Sequence, residues 1–179
     1  MMLRKQPGGP IPAEDFGEYL YGMVSALDEG SFETPLRDCA VIARDQMREE
    51  FAGEHDAEGQ PWEPWHFSPI KDASALGKKT MQHEGNLLAS YTQEGAPGNV
   101  TRIDQRSLEL GSSVVYAGIH DKGATISTGV GLWSRGGGFF LPAGSQINIP
   151  ARPVAGWSEE TLERCEDVIV SWVLDEVFV

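Results

Sequence analysis

Positive charge is scarce in this sequence. Its 179 residues hold 14 Lys and Arg against 27 Asp and Glu, a formal charge of −13. Affinity for nucleic acid comes mainly from cationic contacts to phosphate, so this balance argues against groove binding and sequence-specific reading of DNA. Cysteine is equally sparse. Cys39 and Cys165 stand alone, each on the apolar side of an expected helix, which reads as two small buried hydrophobes in a reducing compartment and not as a disulfide framework. No run approaches the roughly 18 apolar residues that span a bilayer, and Met1 to Pro12 lacks the apolar stretch of a secretion signal. The expectation is a soluble chain made in the cytoplasm, without a membrane partner.

Reactive constellations are missing too. His55, His66, His83 and His120 show no short ligand spacing for zinc, and the two cysteines are far apart. No Ser or Cys sits in a nucleophile-elbow sequence, and His120-Asp121 are neighbours that rarely face each other on a helix or strand, so His120 reads as a structural residue in a turn. Gly136-Gly137-Gly138 lacks the Lys-Ser/Thr ending of a phosphate loop, and Glu63, Glu84 and Glu94 are scattered. No catalytic, metal or cofactor residue is assigned, and the chain is not expected to be an enzyme.

What is present is an α+β pattern in one domain, residues 13–179, behind a mobile arm at 1–12 that carries Pro7, Gly8, Gly9, Pro10 and Pro12 and has almost nothing to bury. Phe16, Tyr19, Leu20, Met23, Val24 and Leu27 recur at helical spacing up to Gly30. Thr34-Pro35 reads as an N-cap and first turn. Leu36, Ala40, Ala43, Met47 and Phe51 then form a second stripe, with Arg37, Asp38, Arg44, Asp45, Arg48 and Glu49 on the outer face. The short connection makes an antiparallel helical pair. Residues 53–79 look irregular, with Trp62 and Trp65 either folded over the core or held for a partner.

A small antiparallel sheet is expected next, a meander of Leu87 to Tyr91, Val100 to Ile103 and Ser107 to Gly111. Val114 to His120 is short and apolar, with Gly123 placed as a left-handed cap after one helical turn. Half-strands Thr125 to Val130 and Gln146 to Ile149 flank a tip that is both apolar and glycine-rich, holding Leu132, Trp133, Phe139, Phe140 and Leu141. A projecting hairpin or loop of this kind needs a cover, so 124–149 reads as an assembly arm. In Ile149-Pro150-Ala151-Arg152-Pro153, two prolines hold the backbone extended and Arg152 in a fixed direction. Arg152 serves either as an internal clamp on carbonyls or as a contact to a neighbouring subunit. Ser158 caps a final helix, packed on the sheet, with Leu162, Cys165, Ile169, Trp172, Val173 and Val177 facing inward.

Four motifs stand in series: Gly59-Gln60-Pro61-Trp62, His83-Glu84-Gly85-Asn86-Leu87-Leu88-Ala89-Ser90, Tyr116-Ala117-Gly118-Ile119-His120-Asp121-Lys122-Gly123 and Ile149-Pro150-Ala151-Arg152-Pro153. In order and spacing they resemble the virion-morphogenesis family of tailed phages, the tail-completion or neck proteins, from about Ala13 onward. Glu84 replaces the Thr of that pattern, and Val154-Ala155 replace its Phe-Leu. The resemblance implies a structural virion protein, assembled in the bacterial host cytoplasm. It would form a ring, expected to be hexameric, at the head-proximal end of the tail and join tail to head. The implied partners are further copies of itself and other neck and tail proteins, with DNA passing an acidic lumen unbound. The contacts would come from Leu132, Trp133, Phe139, Phe140, Leu141 and Arg152. Trp62, Gly85, Tyr116, His120, Gly123, Pro150 and Pro153 would be motif residues of the scaffold. A tail terminator capping the tail tube is the alternative position. A hydrolase using His120 and Asp121 is the reading from another class.

Overall fold

The computed structural model describes residues 21, 24, 25, 30–64, 79–133 and 140–178. The 1–12 arm, Trp65, and Phe16, Tyr19, Leu20, Met23 and Leu27 of the first expected helix lie outside them. Tyr21, Val24 and Ser25 are helical, and Val24 is exposed, so it does not join an inward stripe. The fold is α+β. Its elements are α1 (Glu33–Gly53), α2 (Asn86–Thr92), β1 (Asn99–Ile103), β2 (Leu108–Ser112), α3 (Ala117–Lys122), β3 (Ala124–Ser127), β4 (Leu132–Trp133), β5 (Phe140–Leu141), β6 (Gln146–Ile149) and α4 (Glu159–Phe178).

The chain divides into two compact units. The first takes Met1–Ile42, Arg102–Glu109 and Glu159–Val179. Here α1 starts one residue ahead of the expected Thr34 cap, because Ser31 Oγ accepts the Glu33 N–H at 3.4 Å and Phe32 O accepts the Leu36 N–H at 3.0 Å. Cys39 and Ala40 are buried, and Cys39 Sγ points at the carbonyl of Cys165 on α4, 3.7 Å away. Both cysteines are free and buried, and burial pushes the Cys39 thiol up to about 12, so Cys39 is not a ready nucleophile. Phe32 meets Trp172 with ring centroids 5.2 Å apart. Leu162 departs from the expected inward stripe. It is 53 % exposed, and Thr161 takes the buried position one residue earlier.

The second unit takes Ala43–Thr101 and Leu110–Ser158 and holds the larger core: Met47, Phe51, Trp62, Met81, Leu87, Tyr91, Ala117 and Val154, with Leu88, Leu110 and Val114 against it. Phe51 lies at its centre. The Trp62 ring stands nearly perpendicular to it at 5.6 Å, and Tyr91 lies 6.2 Å away. Each such side chain contributes ~1.5–3 kcal/mol by leaving water. The predicted strand Leu87 to Tyr91 is instead helix α2. Gly85, at φ +78, turns the chain into it, and Ser90 and Thr92 bond back to the carbonyls of Leu87 and Leu88. Leu87, Leu88 and Tyr91 then share one face, a spacing that serves a helix as well as a five-residue apolar run serves a strand. The expected three-stranded meander is therefore absent from the described residues, and three two-stranded ladders stand in its place: β1 with β2, β3 with β6 and β4 with β5.

Arg44, expected on the outer face of α1, is buried. Its Nη2 donates to Thr101 Oγ1 at 2.8 Å and pairs with Glu94 at 3.2 Å. From Thr101 the bonds continue to Asn99, the Ser90 carbonyl and Ser112, so α1, α2 and the β1–β2 ladder share one polar chain. A guanidinium can occupy that position only because a carboxylate and a hydroxyl meet it there.

Candidate assembly site

Two of the four motifs converge on a third, the segment at residues 149–154. The two prolines remove the N–H of positions 150 and 153, which leaves Ala151, Arg152 and Val154 as the backbone donors of the stretch. Arg152 N donates to His120 O at 2.6 Å, and Val154 N to Asp121 Oδ1 at 3.3 Å. From the other side Trp62 Nε1 donates to Pro153 O at 3.1 Å. Arg152 is 0 % exposed, and its Nε donates to Glu63 O at 2.9 Å. The guanidinium thus works inside the subunit as a clamp on the loop that carries Trp62, and its side chain presents nothing to a neighbour.

Each flanking motif is shaped to reach this segment. Glu54 to Trp62 closes on itself: Asp56 Oδ1 accepts the N–H groups of Glu58 and Gln60, Trp62 N donates to Glu54 O at 2.7 Å, and Gly59 takes φ +78. That turn places the Trp62 indole in the core with its N–H toward Pro153. Tyr116 precedes α3, and its ring stands edge-on to His120 at 6.1 Å. Gly123 ends α3 at φ +71, and a Cβ there would lie 2.9 Å from both Ile149 O and Ala151 N, so only glycine lets the two backbones pass. Its ψ of 165 makes it an extended exit and not the left-handed cap expected. His120 has its pKa lowered by burial first and by the Arg152 charge second, which keeps the ring neutral beside a cation. Val154 is 2 % exposed in the core.

Residues 124–149 leave this anchor as a hairpin. Ala124 pairs with Ile149, Thr125 with Asn148, Ile126 with Ile147 and Ser127 with Gln146. Thr128 is buried, and its Oγ1 donates to Pro142 O at 2.8 Å where the first ladder ends. A second ladder follows, Leu132 with Leu141 and Trp133 with Phe140. Phe139 lies outside the described residues, and Leu132 and Trp133 are placed by backbone alone. The Phe140 ring lies over Gly131, whose missing Cβ leaves it room, and is still 47 % exposed. Ile126 and Val130 are exposed as well, while Leu141 is half-buried. Among the described residues, each strand of the hairpin pairs only with its own partner, leaving the outer edges open to another chain.

The pattern that defines the phage virion morphogenesis family matches residues 17–174. The chain belongs to this family. No curated protein and no solved structure matches it. In this member of the phage virion morphogenesis family three of the four motifs, distant in sequence, close one knot at the base of one hairpin. Among the described residues there is no group of three or more His, Cys, Asp or Glu that could hold a metal, and no helix long and apolar enough to cross a membrane.

The sequence reading missed a second cluster. Gln46 donates to Glu50 Oε1 and to Gly156 O, and accepts from Ser158 N and Oγ at 3.0 and 2.9 Å. Glu50 is 1 % exposed, and burial pushes its carboxyl up to about 7. The only signal was its place seven residues after Ala43 and one before Phe51, on the inward side of α1.

Proposed function

We propose that the protein is a structural ring component of the tailed-phage neck, set at the head-proximal end of the tail, which completes the tail and joins it to the head. The observation that carries this reading is the 124–149 hairpin: a two-ladder arm with open edges and exposed Ile126, Val130 and Phe140, tied at its base by the Arg152 knot. A closed ring needs one patch of each subunit to meet a different patch on the next, and strand addition along such an arm supplies one half of that contact. The acidic balance suits a lumen that lets DNA pass. The protein performs no catalysis in this reading, and the engagement of His120 O and Asp121 Oδ1 with residues 152 and 154 supports a positional role for both. Assembly takes place in the host cytoplasm.

Sedimentation velocity and native mass spectrometry on the full chain, alone and mixed with the neck proteins of its phage, test this reading. A ring-sized species is expected, six copies being our count, and deletion of residues 131–141 should leave a folded monomer. Should the deletion unfold, Val130→Ser with Phe140→Ser makes the same test. A wild-type chain that stays monomeric with its neck partners present refutes the proposal. Stable association with a tail-tube protein and none with head-side proteins would move it to the tail-terminator position.

A further inference from the structure

The outer face of α4 carries a second surface, independent of the hairpin. Leu162, Val170 and Leu174 are 53, 49 and 41 % exposed. At about 100° per residue they fall within one arc of about 120°. The same arc and its rim hold Glu159, Glu163, Glu166 and Asp167, all exposed, and no Lys or Arg. The helix's one cation, Arg164, sits on the far side of the acidic rim. None of the four carboxylates has an ion-pair partner among the described residues. A buried face for this helix already exists, through Thr161 and Cys165, so the arc is not a core stripe left uncovered by chance of register.

Charge decides what can cover it. A second copy of the same face would set four carboxylates against four, which is destabilising at contact distance. Nucleic acid and anionic lipid are repelled for the same reason. On this face Leu162, Val170 and Leu174 alternate with Glu159, Glu163 and Glu166, with Asp167 at the rim, which is complementary to a helix that carries aliphatic residues interleaved with lysines or arginines on one side.

We propose that α4 is a docking site for a cationic amphipathic helix of another protein, gripped by Leu162, Val170 and Leu174 and oriented by Glu163, Glu166 and Asp167. The probes are two designed helical peptides of one leucine pattern, flanked by lysine in the first and by glutamate in the second, and a third with lysines but alanine for leucine. Fluorescence anisotropy with the full chain should show binding of the first alone, weakening at least tenfold between low and high salt. Amide exchange should slow across 159–175, and Glu163→Lys with Asp167→Lys should weaken binding at least tenfold while circular dichroism stays unchanged. Equal binding of the alanine peptide would mean charge attraction without a groove and overturns the proposal. So does slowed exchange anywhere other than α4. Disulfide capture between two copies of Val170→Cys, at the protein's working concentration, would assign the face to self-association and overturn it too.

Discussion

Glu50 allows the sharpest test of how this fold is balanced. Its carboxyl is nearly sealed from water, Gln46 Nε2 serves one oxygen, and the other has no hydrogen-bond partner. Burial raises its pKa from 4.5 to about 7, with the Asp56 charge adding to the rise and the Gln46 bond opposing it. Between those two values the folded chain holds a proton that the unfolded chain has released. Stability therefore falls as pH rises through that window, and the loss is complete above about 7. At 1.36 kcal/mol for each tenfold change in acidity, the loss is about 3 kcal/mol. Glu50→Gln keeps the acceptor for Gln46 and can never ionise. Its unfolding free energy should match the parent near pH 4 and exceed it by about 3 kcal/mol at pH 8, a rise in midpoint of about 6–12 °C for a chain of this size. Urea and thermal unfolding from pH 4 to 8.5 measure this directly. A variant no more stable than the parent at pH 8, or a difference that does not change across the window, would refute the reasoning.

Two further substitutions probe the knot. Arg152→Lys removes the Nε donor to Glu63 O and leaves a point charge in a fully buried site, which should cost about 2–4 kcal/mol in urea unfolding; a change below 0.5 kcal/mol, on the order of surface substitutions, would show that the clamp carries no stability. Gly123→Ala combines positive φ with backbone contact on both sides, and a loss of about 1–3 kcal/mol is expected, whereas Gly85→Ala, strained in φ alone with open space around it, should lose less.

The sequence disclosed the long helices because α1 and α4 repeat their apolar positions over five turns, enough for a period of 3.6 to stand out. It also marked β1, β2 and the 124–149 hairpin at its base. Leu87 to Tyr91 was misread because five residues cannot separate a period of two from 3.6, and the deciding features, Gly85 φ and the Ser90 and Thr92 back-bonds, are geometric. Arg44 went to the wrong face because a charged residue inside a stripe is tolerated only if Glu94 and Thr101 arrive from elsewhere in the chain. Arg152 was left open between a clamp and a contact, since what surrounds it is supplied by residues 63 and 120. The motifs themselves were legible, and the convergence of two of them on the Arg152 segment was not.

The knot also has a consequence in time. Trp62 and Glu63 wait for partners some ninety positions downstream, and such distant closures form late and slowly. On the ribosome the hairpin emerges before Arg152 and Pro153, so its root stays untied until the chain has been made past Pro153. Until then the arm has no shoulder, and under the proposed function only copies made past Pro153 would hold it firmly enough to lend it to a neighbour.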